Sequence, residues 1–231
     1  MILKGLQKLT LLDYPGEIAA TVFTGGCNFR CPFCHNASLV LPEKFGATLP
    51  TEEFFAFLES RKGKLRAVCV SGGEPTLMFD LEEFISRIKS MGFLVKLDTN
   101  GSRPDVLKSL VEKGLVDYVA MDIKNSLDMY PRTVGVEDFD VTPIRESAEY
   151  LMSGAVDYEF RTTLVAGLHT EREITEIGRW LEGAPRLYLQ NFVDSGDLLS
   201  PGLHGLEKAE LLALQGIARD FFPHAELRGV D

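Results

Sequence analysis

Short apolar runs punctuate the chain at Ile18–Thr24, Ala67–Val70, Phe93–Leu97, Tyr118–Ile123, Tyr158–Leu164 and Leu187–Phe192. Most are apolar without strict alternation, the pattern of strands covered on both faces. Between them lie segments with helical spacing: Glu52–Ser60, a stretch opened by Asp80 with Glu83 three residues on and closed at Gly92, Pro104 to about Gly114, Pro143–Ser153, Glu171–Leu181 and Glu207–Phe221. Strand and helix alternating in this way predict an α/β fold with a parallel sheet under helices. Six such units are fewer than the eight of a closed barrel, so a partial barrel and an open sheet both fit. No linker, low-complexity tract or further repeat interrupts residues 1–231, which read as one domain.

In either architecture the functional residues belong at the C-terminal ends of the strands, and the unusual residues sit there. The first run leads into Gly25-Gly26 and then Cys27, Cys31 and Cys34 within eight residues. Three thiols on one loop make an incomplete cage, since a structural zinc site closes with four ligands and an ordinary iron–sulfur cluster takes four cysteines. The remaining cysteine, Cys69, lies in the middle of a predicted buried strand. If it stays there, one coordination position is left open for chemistry. Zinc held with His35, haem c attachment at Cys31-Pro-Phe-Cys34-His35 and a disulfide are the competing readings. Haem c needs an export route, and residues 1–16 show no signal sequence.

The second strand ends in Ser71-Gly72-Gly73-Glu74-Pro75, where paired glycines allow close backbone approach and Glu74 could receive a cation or an ammonium. The third ends at Asp98-Thr99-Asn100-Gly101 and the fourth at Asp122-Ile123-Lys124. Two carboxylates at adjacent strand ends are costly unless a cation lies between them, and Lys124 shares a strand face with Asp122. Arg161, in mid-strand, calls for a partner as well.

Composition narrows the classes. The chain has 231 residues, is 45% hydrophobic and 25% charged, and carries a net charge of −10, which argues against a general nucleic-acid surface. No apolar run is long enough for a membrane span. Four cysteines, three of them clustered, suit a reducing compartment, so the cytoplasm is expected. One basic stretch, Arg61 to Arg66, reads either as a helix C-terminus or as a docking patch for an acidic electron donor. The segment from Tyr130 to Asp140 reads as a polar connection where a partner's loop could dock.

Cys27-x3-Cys31-x-Phe33-Cys34, followed in order by Gly72-Gly73-Glu74, Asp98-Thr99 and Asp122-Ile-Lys124, resembles the radical S-adenosylmethionine (radical SAM) enzymes. With Asp13-Tyr-Pro-Gly16 and Arg161 the likeness extends over the whole chain to the glycyl-radical-enzyme activating enzymes. It is greatest to the longer anaerobic ribonucleoside-triphosphate reductase activating proteins, relatives of pyruvate formate-lyase activating enzyme.

That resemblance implies a partial (β/α)6 TIM-like barrel. It implies a 4Fe–4S cluster on Cys27, Cys31 and Cys34, with SAM on the fourth iron. Phe33 and Asn36 would lie along the adenosine, and Gly72, Gly73 and Glu74 along the methionine. Asp98, Thr99 and Asp122 would match a monovalent-cation site, and Lys124 and Arg161 would face the SAM carboxylate and ribose. Asp13 would stand near the incoming glycine. Reductive cleavage of SAM would yield a 5′-deoxyadenosyl radical that takes an α-hydrogen from a glycine of a partner enzyme, with flavodoxin or ferredoxin as electron donor. A last-strand histidine of the relative is missing here, leaving Gln190 or Asn191 as substitutes. A radical SAM enzyme acting on a small molecule or nucleotide, and a non-catalytic iron–sulfur electron carrier, remain the alternatives. His169, His204 and His224 read as structural or surface residues.

Overall fold

The computed structural model describes residues 1–194 and 196–229. Its centre is one eight-stranded sheet in sequential order: β1 (Leu3–Thr10), β2 (Ala19–Thr24), β3 (Ala67–Gly72), β4 (Leu94–Thr99), β5 (Tyr118–Asp122), β6 (Asp157–Leu164), β7 (Arg186–Asn191) and β8 (His224–Arg228). Strands β2 to β8 run parallel and β1 pairs antiparallel with β2. The sheet is open, with β1 and β8 as its edges. This is an α/β architecture, an open sheet in the manner of a partial TIM-like barrel.

The six predicted strands are all present, and two more were not predicted. β1 mixes buried and exposed positions and shifts register twice against β2. β8 reads His-Ala-Glu-Leu-Arg. Both are edge strands with one covered flank, so neither carries the apolar run that marks an interior strand.

The helices α2 (Thr51–Arg61), α3 (Leu81–Ser90), α4 (Pro104–Glu112), α6 (Thr142–Met152), α7 (Glu171–Trp180) and α8 (Lys208–Arg219) match their expected spans. Each lays an apolar stripe on the sheet; in α3 it is Leu81, Phe84, Ile85 and Ile88. Asp80 does not cap α3 with its side chain, because its carboxylate takes the amino group of Met1. Capping boxes form instead at Thr170/Glu173 of α7 and Glu207/Glu210 of α8.

Alternation along the strands separates two interiors. Val68, Val70, Val95, Leu97, Val119 and Met121 face the helices in the main core. Ala19, Ala67, Cys69, Tyr118 and Tyr14 form a small apolar floor on the other face. Above that floor the concave face turns polar, and this places the site.

Candidate active site

The three clustered cysteines sit on the loop between β2 and the short helix α1 (Ala37–Val40), at the C-terminal tip of the barrel. This loop is held from two sides. Asn28 bonds Asn100 Nδ2 at 2.9 Å and Ser102 Oγ at 3.0 Å, both from the β4 tip. On the other side Arg30 N donates to Val134 O at 2.8 Å, at the end of α5 (Tyr130–Val134). Phe29 stacks edge-on to Phe139 at 5.1 Å, and Phe139 lies on the fully buried Tyr130. The segment read as a polar docking connection is therefore partly a buttress for the cysteine loop. Its aromatic residues face inward, and only their polar neighbours were conspicuous in the sequence.

The Gly72-Gly73 pair is required by the chain's own backbone. Gly72 has φ +119°, and a Cβ there would lie 2.3 Å from Thr24 N. At Gly73 a Cβ would come within 2.0 Å of Gly26 O. Without side chains the β3 tip closes on the β2 tip, with Gly73 N donating to Thr24 O (2.9 Å) and Glu74 N to Gly26 O (2.8 Å). Glu74 then turns inward and is fully buried. Its carboxylate accepts from Thr76 N (3.1 Å), Thr76 Oγ1 (2.5 Å), Thr99 Oγ1 (2.8 Å) and Asn100 N (2.6 Å). It thus ties the β3 and β4 tips together, where an open acceptor for a ligand ammonium was expected.

A row of alternating charge crosses the concave wall. Lys96 pairs with Asp98, Asp98 with Arg161 (3.2 Å), Arg161 with Asp122 (2.9 Å) and Asp122 with Lys124 (2.9 Å). Ser71 Oγ adds a bond to Asp98 at 3.0 Å. Burial alone would raise both carboxyls, but Arg161, with Lys96 at Asp98 and Lys124 at Asp122, holds them below the usual carboxylate range. Asp122 likewise holds Lys124 above the ordinary lysine range against the effect of burial. The two carboxylates expected around a monovalent cation are therefore already matched by the chain's own three cations.

Arg161 is the centre of this row, and its removal takes one cation from each of two buried carboxylates at once. Arg161→Ala is expected to cost about 3 kcal/mol, or a Tm lower by roughly 6–12 °C for a chain of this size. Calorimetry at neutral pH checks it, and a melt within 2 °C of wild type contradicts the network. In the native protein the stability linked to both acids is complete above their unfolded values. It is lost as the pH falls through the depressed native ones.

One cavity of about 460 Å³ gathers these parts. Its lining includes every residue singled out above for cluster or SAM: Cys27, Cys31, Cys34, Phe33, Asn36, Gly72, Gly73, Glu74, Asp98, Thr99, Asp122, Lys124 and Arg161. Asp13 is not among them. It lies in the β1–β2 connection, where its carboxylate accepts from Thr21 Oγ1 at 2.5 Å. Gln190 lines the cavity, and so does Asn191, but both ends of the Asn191 amide are committed to the Leu206 backbone at 2.8 and 3.0 Å.

His169 is buried and structural, with Nδ1 accepting from Val165 N (3.1 Å) and Nε2–H donating to Lys124 O (2.9 Å). His204 and His224 are exposed. The basic stretch Arg61–Arg66 precedes β3, at the opposite end of the barrel from the cysteine loop, about 20 Å away by strand rise. That separation removes it as an entry point for electrons.

The donor set fits a cluster better than a single ion. Among the described residues no three His, Cys, Asp or Glu side chains converge closely enough to hold one metal ion. A cubane asks for less, because each thiolate meets its own iron. His35, the fourth zinc ligand considered, stands edge-on to Phe192 at 5.2 Å. Burial pushes Cys31 up to about 12 and Cys27 to about 11, and raises Cys34; Lys124 pulls all three the other way. Buried thiols of this kind become thiolates when metal replaces the proton.

The chain matches the radical SAM superfamily over residues 21–181. It belongs to that superfamily. A protein of Methanocaldococcus jannaschii named "Putative glycyl-radical enzyme activating enzyme" is 33% identical, with 100% of this chain and 97% of that one covered. Among solved structures, a domain of pyruvate-formate lyase-activating enzyme from Bacteroides vulgatus aligns with TM-score 0.58 at 19% identity. The match covers 71% of this chain and 99% of that one. Streptococcus suis SuiB, in a complex with its precursor peptide SuiA, aligns with TM-score 0.70 at 15% identity over 88% of this chain. The chain spans 47% of the length of SuiB. Membership in the radical SAM superfamily implies a 4Fe–4S cluster and SAM.

Two features at or behind the cavity wall escaped the sequence. Lys96 stands two residues before Asp98, the i, i+2 relation that did flag Lys124 beside Asp122. Arg228 lies on the unpredicted β8, and nothing in its local sequence marks it.

Proposed function

We propose that this chain activates a glycyl-radical enzyme, of the anaerobic ribonucleoside-triphosphate reductase type. The observation that carries this reading is the 33% identity to the M. jannaschii protein over essentially the length of both chains. The open sheet supports it, since a loop of a large partner needs a side entrance to the concave face.

Cys27, Cys31 and Cys34 would hold the cluster. SAM would lie against Phe33, Asn36 and the Gly72-Gly73-Glu74 turn, with Thr99 beside it. Lys124 and Arg161 face the cavity with the charge row Lys96–Asp98–Arg161–Asp122–Lys124, which carries one more cation than anion. That surplus suits the SAM carboxylate. When bound, cluster and SAM would supply one-electron cleavage of SAM to methionine and the radical that takes the glycine α-hydrogen. The electron comes from a low-potential donor of the flavodoxin or ferredoxin class. Glycine suits this step because no side chain shields its α-carbon. The chain's own part is to bind, align and dry the reacting groups.

The test is anaerobic EPR of the reconstituted protein with SAM, reductant and the reductase. A glycyl-radical signal on the reductase is expected. Its absence across glycyl-radical enzymes, with 5′-deoxyadenosine released only beside a small molecule, overturns the activase reading.

A further inference from the structure

One charged group in the cavity has no part in the scheme above. Arg228 is the penultimate described residue, on the edge strand β8, in register with Gln190 of β7. From that level it reaches down over Tyr188, its guanidinium 3.3 Å from the ring centroid, to the carboxylate of Glu159. The contact is bidentate, Nη1 to Oε1 at 2.8 Å and Nη2 to Oε2 at 3.0 Å. Glu159 is buried at 1% exposure and accepts a further bond from Tyr118 OH at 3.1 Å. A guanidinium clamped by a ring and a fork has lost its rotamer freedom before any ligand arrives.

Two properties define what it could meet. The Arg228 side chain keeps 31% of its surface and lines the cavity, and the Glu159 fork uses two of its five N–H donors. The Glu159–Arg228 pair is neutral as a whole, unlike the charge row on β4, β5 and β6. It therefore has no net pull on a phosphate or carboxylate but presents directed donors to an uncharged acceptor. Among the described residues β8 is an edge strand of the open sheet, so Arg228 stands at one side of the cavity wall, within reach of a segment entering from that edge.

We propose that Arg228 is a substrate-binding residue that donates to a main-chain carbonyl of the protein segment carrying the target glycine, with Glu159 and Tyr188 holding it in place. This rests on the activase reading. A glycine offers nothing beside its α-carbon except its flanking amides, so a rigid donor to a carbonyl is a direct way to fix its position against the SAM site.

The test uses the reconstituted full chain with SAM, reductant and the anaerobic ribonucleoside-triphosphate reductase. Arg228→Lys keeps the charge and loses the fork and the stack. The paired variant Glu159→Gln/Arg228→Gln keeps a bonded pair without buried charge. Each is expected to raise KM for the reductase at least tenfold, with a smaller fall in kcat and a much smaller change in SAM affinity. An unchanged KM overturns the inference while leaving the activase reading intact. So does loss of SAM affinity in parallel with KM, or failure of both variants to fold, since either makes Arg228 a structural residue. If the wild-type protein places no radical on the reductase, the activase reading fails and this inference falls with it. Nucleotide-dependent 5′-deoxyadenosine release that is lost in Arg228→Lys would assign the residue to a nucleotide substrate instead, and also overturns it.

Discussion

Cys31→Ala will leave a folded protein that holds no stable cluster and cleaves no SAM. Cys31 is the least exposed of the three loop thiols, at 6%, and burial, against the pull of Lys124, pushes it up to about 12. Its loss leaves two ligands, both at the more accessible positions of the loop. The loop itself should survive, because its holds are elsewhere: Asn28 on Asn100 and Ser102, Arg30 on Val134, Phe29 on Phe139. Iron content and the charge-transfer absorbance after anaerobic reconstitution give the readout. Full iron with an unaltered spectrum would remove Cys31 from the ligand set. Cys69→Ala is the control, since Cys69 belongs to the apolar floor with Ala19, Ala67 and Tyr118, and its loss should spare the cluster.

Gly73→Ala is expected to be strongly damaging for a single added methyl. The added Cβ would sit 2.0 Å from Gly26 O and 2.7 Å from Gly26 C, so the obstacle is backbone and no side chain can swing away. Relief requires parting the β2 and β3 tips, which breaks the bonds from Gly73 N to Thr24 O and from Glu74 N to Gly26 O. Glu74 would move with them and release Thr99 and Asn100. We expect a loss of more than about 3 kcal/mol, above the usual range for overpacking, together with loss of SAM binding. Gly216→Ala makes the contrast: it lies in α8 with nothing within 4 Å of the new Cβ. There the same methyl should stabilise by about 0.5–1 kcal/mol. Thermal melts of the two variants decide the matter. A Gly73→Ala protein as stable as wild type would mean that the tips do not close in this way.

Local order explains why most of the barrel was legible. Six interior strands and six long helices announced themselves because burial on both faces, or on one stripe, leaves a periodic apolar signature in the chain. The cysteine loop, the glycine pair and the strand-end acids stood out because their residue types are rare in that setting. They also fell at the ends of strands, where a parallel fold collects its chemistry. So the sequence by itself determined the fold class, the cysteine set and the neighbourhood of the site.

Tertiary structure decided which groups face which. Glu74 looks in sequence like an open acid beside a turn, yet four donors from Thr76, Thr99 and Asn100 already bond it, three of them on one oxygen. Asp98 and Asp122 look like a cation site, yet Lys96, Arg161 and Lys124 reach them first. Asp13 lies in a loop of its own, away from the cavity. Gln190 and Asn191 both line the cavity, and the Asn191 amide is bonded to the Leu206 backbone. Arg228 and Glu159 meet from strands 69 residues apart along the chain, and the edge strand that carries Arg228 has no apolar run. Hydrophobic pattern reports burial, a property each segment largely carries alone. Pairing of polar side chains depends on register and curvature, which exist only once the whole sheet is assembled.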